Sequence, residues 1–214
     1  MNRFFVIILI LISGCSMKVP PDRWKANASN AFESYQEYYL QGKSRLAATE
    51  LKKAIKEAAC SADMEPLARI YLGECALHAA VLIDDECGNY IRISNMLGTQ
   101  KELKNYSLML QGKMDDVDAA VLPRQYRDFV RNVSKKDFKA AFSNIKGMPE
   151  TSSKLIAASL MKDQLDKGML AYVIDQASFR GYKKSVIAWL RFSKKSATEK
   201  EKVLIEQKLR ILND

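Results

Sequence analysis

Side chains able to do chemistry are few in this chain of 214 residues. The single histidine, His78, has Glu74 one helical turn before it. No second histidine is present to complete a metal site or an acid–base dyad. HExxH, GxSxG and glycine-rich phosphate loops are absent as well. The Glu74–His78 pair therefore reads as a polar seam on a buried helix. Asp115, Asp116 and Asp118 imitate the opening of a calcium loop, but its glycine and distal glutamate are missing, so they read as a solvated turn. No cofactor, metal or catalytic set is expected, and the chain does not read as an enzyme. Four thiols remain: Cys15, Cys60, Cys75 and Cys87.

Cys15 is set apart by what precedes it. Arg3 and the amino terminus form a small positive region, Phe4 to Ile12 is an unbroken apolar run, and Ser13 and Gly14 lead into the cysteine. The run is too short to cross a hydrocarbon core, which needs about 20 helical residues. A positive flank, a short apolar stretch and small residues make an export signal. The ending Ile12-Ser13-Gly14-Cys15 resembles a bacterial lipobox. That resemblance implies cleavage after residue 14, a diacylglycerol on the Cys15 thiol and an acyl group on its new amino terminus. Ser16, in place of Asp, implies passage to the outer membrane. Residues 15–22, with Pro20 and Pro21, then form a stiff lipidated linker, and the folded part hangs from a membrane. More than one acyl chain is needed for stable anchoring, each buried CH₂ contributing about 0.8 kcal/mol.

Export changes the meaning of the other features. The other three cysteines are expected to be small buried apolar residues without a disulfide, because a helix over Leu67–Ile83 holds Cys75 about 12 Å along the axis from its end. Formal net charge is +9, unevenly spread. Residues 1–118 carry 14 Lys and Arg against 15 Asp and Glu, whereas residues 119–214 carry 20 against 10. A basic half attracts anionic partners. Outside the cytoplasm these are lipopolysaccharide, acidic phospholipid, peptidoglycan carboxylates or acidic proteins, not nucleic acid. Lys135, Lys136, Lys139, Lys183, Lys184, Lys194 and Lys195 are the candidate face.

The elements that must position all this are helices. Only 9 Gly and 5 Pro punctuate the chain, and no stretch alternates long enough to need a strand. Helical periodicity and caps place about eleven helices: 24–41, 44–59, 67–83, 84–97, 99–111, 122–133, 135–146, 151–166, 168–179, 182–193 and 197–212. Asp63, Thr99 with Glu102, and Ser196 with Glu199 supply start signals. The third helix is apolar nearly all round, so it is expected at the centre. The polar break Lys113–Asp118, where the charge balance changes, divides an N-terminal subdomain (23–118) from a basic C-terminal one (119–214).

Residues 38–55, YYLQGKSRLAATELKKAI, resemble the turn and second helix of a tetratricopeptide repeat, through Tyr38, Gly42, Ala47, Leu51 and Ala54. The spacing recurs weakly at Lys136, Ala141, Ile145 and Met148, and at Gly181, Val186, Leu190 and Ser193, though not at multiples of the repeat's 34 residues. The run YLGECA around Gly73 also looks like the first helix of such a repeat. The resemblance implies an all-α solenoid of antiparallel helix pairs that binds peptides or proteins. Two functional expectations follow: a lipid-anchored scaffold holding a protein partner in an envelope machine, or a direct binder of an anionic envelope polymer or lipid through its basic half.

Overall fold

The computed structural model describes residues 23–60, 62–98 and 100–213. The export signal, Cys15 and the linker lie outside the described residues. Within them the chain is all-α, with eleven α-helices: α1 (Arg23–Leu40), α2 (Ser44–Ala58), α3 (Glu65–Ala80), α4 (Gly88–Ser94), α5 (Lys101–Leu110), α6 (Arg124–Ser134), α7 (Phe138–Gly147), α8 (Thr151–Leu160), α9 (Lys167–Phe179), α10 (Lys183–Ser193) and α11 (Glu199–Asn213).

Three helix pairs, α1–α2, α6–α7 and α9–α10, are built alike. Each first helix ends in one residue in the left-handed region: Gly42 (φ 81°), Lys136 (φ 59°) and Gly181 (φ 69°). At each end two backbone N–H groups return to the last helical turn, as from Lys43 to the Tyr38 carbonyl and from Gly42 to that of Tyr39. Such a tight reversal makes the pairs antiparallel. Small residues then allow close approach, with Ala47, Ala54 and Ala141 buried. The spacing seen in the sequence therefore falls on the same turn three times.

Helix α3 is the hub. Ala68, Leu72, Ala76, Leu77 and Ala80 are all buried, and α1, α2, α4, α5 and α8 pack around it. Gly73 is needed there, since a Cβ would stand 2.3 Å from the Phe32 ring. The stack then curls until α10 touches α1. Trp189 Nε1–H donates to the Ala80 carbonyl at 3.2 Å, and Tyr182 Oη–H donates to Glu37 Oε1 at 2.7 Å. One apolar core continues from Tyr35 to Leu209, across the polar break where two 3₁₀ turns lie, Met114–Asp116 and Ala119–Val121.

Several expected boundaries shift. α3 stops at Ala80 and not Ile83, because Leu82 (φ 58°) reverses the chain. Asp84, Asp85 and Glu86 are not the first turn of a helix; they lie in the reversal, and α4 starts only at Gly88. α8 stops at Leu160, where Met161 (φ −126°) leads into a 3₁₀ turn over Lys162–Gln164, and Asp166 then caps α9 by accepting from Met169 N–H at 2.8 Å. The capping box expected from Ser196 and Glu199 is formed instead by Thr198 and Glu201: Glu201 Oε2 accepts from Thr198 N–H at 2.7 Å, and Thr198 Oγ1 accepts from Glu201 N–H at 3.4 Å. Thr99 lies outside the described residues.

Candidate functional site: a cleft at three helix ends

The reversal after α3 produces the largest departure from expectation. Cys75 and Cys87 form a disulfide, with Cα atoms 5.3 Å apart. The expectation of no pairing measured distance along α3 alone. It missed that the chain turns at Leu82 and runs back beside the helix, so that residue 87 regains the level of residue 75. Both sulfurs are buried, whereas Cys60 is free and exposed. His78 belongs to the same corner. Its Nδ1 faces Asp85 Oδ2 at 2.5 Å, and Asp85 Oδ1 accepts from the Cys87 N–H at 2.8 Å. The partner of His78 is thus Asp85, not Glu74, whose Oε2 accepts instead from Asn89 at 3.4 Å. Tyr39 packs against His78, and its hydroxyl is pushed up to about 12 by burial and then by the Glu74 and Asp85 charges.

Beside this pinned reversal lies a cleft of about 640 Å³. Its wall on one side is Leu82 to Glu86. The C-terminal ends of α5 and α8 supply the facing side, through Leu110, Gln111, Leu160 and Met161, and Ala79 of α3 and Ile91 of α4 line it as well. Four acids, Asp84, Asp85, Glu86 and Asp163, line it against two lysines, Lys113 and Lys162. Lys162 Nζ stands 3.7 Å from Asp84 Oδ1, reaching from the segment after α8 to the reversal. Nothing in the sequence pattern marked this cleft, because Asp84–Glu86 looked like helix-starting acids. Asp163 fell inside the helix expected over 151–166.

The basic-face residues are not one free surface. Lys184 is half-buried, with Nζ 3.4 Å from the Tyr39 ring centre, and burial lowers its pKa. Lys194 pairs with Glu206, and Lys195 lies over the Phe192 ring. Lys135, Lys136, Lys139 and Lys183 are exposed at two separate helix-pair turns. Of the repeat-motif residues, Ala47 and Ala54 are buried, Tyr38 and Leu51 half-buried, and Gly42 makes the turn. Asp118 caps the second 3₁₀ turn by accepting from Ala120 N–H at 3.0 Å. Among the described residues no group of three or more His, Cys, Asp or Glu is placed to hold a metal ion. Among them, too, no helix is long and apolar enough to cross a membrane.

No family model, curated protein or solved structure matches this chain.

Proposed function

We propose that this chain is a lipid-anchored envelope lipoprotein, tethered through Cys15 at the outer membrane, whose tetratricopeptide-like helical domain is a non-catalytic scaffold for a protein partner. The observation that carries the export half of this reading is the buried Cys75–Cys87 bridge. Structural disulfides persist in oxidising compartments and are rare in the cytosol. The bridge is independent of the lipobox-like Ile12-Ser13-Gly14-Cys15 and points the same way. The scaffold half is supported by the three like helix pairs, and by the open cleft that the ends of α3, α5 and α8 form between them.

Two measurements test the reading separately. Metabolic labelling with an alkyne fatty acid should mark the wild-type chain and leave Cys15→Ala unmarked; equal labelling of both removes the anchor. Crosslinking in whole envelopes with the full-length chain, followed by mass spectrometry, should recover one dominant protein. Recovery of polymer or lipid alone, lost at high salt, transfers the function to the exposed lysines at the helix-pair turns.

A further inference from the structure

We infer that the cleft at the end of α3 is the partner-docking site, and that it takes a cationic segment of a protein, lysines or arginines carried beside an apolar side chain. The inference rests on the scaffold reading and names the chemistry of the partner it requires.

Three features of the cleft favour positive charge. First, the C-terminal ends of α3, α5 and α8 all open onto it, through Ala79, Leu110 and Leu160. Each helix end carries about half a negative charge from its aligned peptide dipoles, so three converging ends add to one another. Second, the acids outnumber the lysines four to two in a chain whose net charge is +9. The charge balance of the cleft is thus opposite in sign to that of the whole chain, which favours a cationic partner there over an anionic one. Third, the cleft already holds a cation of its own, since Lys162 reaches Asp84 across it. An incoming ammonium or guanidinium group has the same charge and the same acceptor to use.

The floor selects for more than charge. Leu82, Ile83, Ile91, Leu110, Leu160 and Met161 line the cleft, and Ile83 and Ile91 are each 46% exposed. Large apolar side chains at a rimmed hollow mark an interaction site. A bare polycation leaves Ile83 and Ile91 wet, whereas a peptide that alternates basic and apolar residues covers them. The walls are preorganised: the Cys75–Cys87 bridge and the His78–Asp85 contact fix the reversal, so little ordering is needed on binding.

The test uses the purified chain from residue 16 and an immobilised array of end-blocked octapeptides. The array carries zero to four lysines or arginines on a constant alanine–leucine background. Binding should rise with cationic content. Reversing the rim with Asp84→Lys, Glu86→Lys and Asp163→Lys together should weaken it roughly tenfold or more, each charge contributing a fraction of the discrimination. The same charge change placed elsewhere, with Glu33→Lys, Glu50→Lys and Asp128→Lys, should leave it within about twofold. Lys162→Ala moves affinity the other way, because it removes the internal competitor. This opposite sign separates a docking role from simple misfolding. Spermine is the competitor arm: displacement of the peptides by equimolar spermine sinks the protein-segment assignment. So does equal binding of neutral and cationic peptides, or equal loss in the two triple variants. If the array behaves as expected while envelope crosslinking recovers no protein, the scaffold reading fails and the cleft chemistry stands.

Discussion

Four residues bear on the stability more than their types suggest. Gly73 lies where the α1–α2 pair meets the hub helix, and a methyl group there meets the Phe32 ring at 2.3 Å. Gly73→Ala should cost about 1–3 kcal/mol by overpacking, read from urea unfolding. Phe32→Leu in the same chain should recover part of that loss, which a purely helical-propensity effect does not predict. Lys136 occupies the left-handed position that Gly42 and Gly181 occupy in the other two helix pairs. Lys136→Gly should therefore stabilise by about 1 kcal/mol, since its φ of 59° is strained for a side chain and free for glycine. The Cys75–Cys87 bridge closes a loop with a sequence separation of 12. Replacing both with alanine should lower stability by about 3 kcal/mol on the chain-entropy account, measured under non-reducing conditions. The sequence concealed this pair because only the turn at Leu82 brings the two sulfurs together, and Leu is not a residue that announces a left-handed turn.

Helices were far more legible than the joints between them. The 3.6-residue periodicity located all eleven, and glycines at 42 and 181 marked two turns. Boundaries slipped where local geometry outcompeted the pattern, through the left-handed Leu82 after α3 and the Asp166 cap at the start of α9. The cleft stayed hidden for the same reason: it is made of helix ends and connections, which periodicity does not describe. α11 shows the competition most directly. Its first turn is locked by Glu201, which also accepts from Lys167 Nζ at 3.0 Å. The Thr198 backbone N–H, then the Lys167 ammonium and the Thr198 hydroxyl, hold the Glu201 carboxyl down to about 2, from its ordinary 4.5. A carboxyl depressed in the fold contributes stability above its ordinary value and loses it as pH falls toward the folded one. α11 should thus loosen between pH 4.5 and about 2. Proteolysis near residue 198 should rise over that window in the wild type. In Glu201→Gln it should already be raised at pH 6 and change little on acidification.

At the scale of the molecule, the charge break at 113–118 is not a seam in the core. α8 lies against α3, and Trp189 and Tyr182 reach Ala80 and Glu37 from the far half. Fragments 23–118 and 119–214 should each fail to give a cooperative thermal transition, while the joined chain melts as one; circular dichroism decides this. Trp189→Phe should cost roughly 2–3 kcal/mol, through the lost bond to a buried carbonyl and the cavity left behind. The curl that brings α10 back to α1 also sets an order of events. The contacts that close the curl span 109 and 145 residues of chain. On the proposed export route the amino end emerges first, so α3 waits with its α8-facing stripe uncovered until residues 151–160 follow. Such distant pairings form slowly. While the chain is threading, that delay keeps it extended enough to pass; once it is through, the same delay leaves an apolar helix open beside the membrane until the last third of the protein arrives.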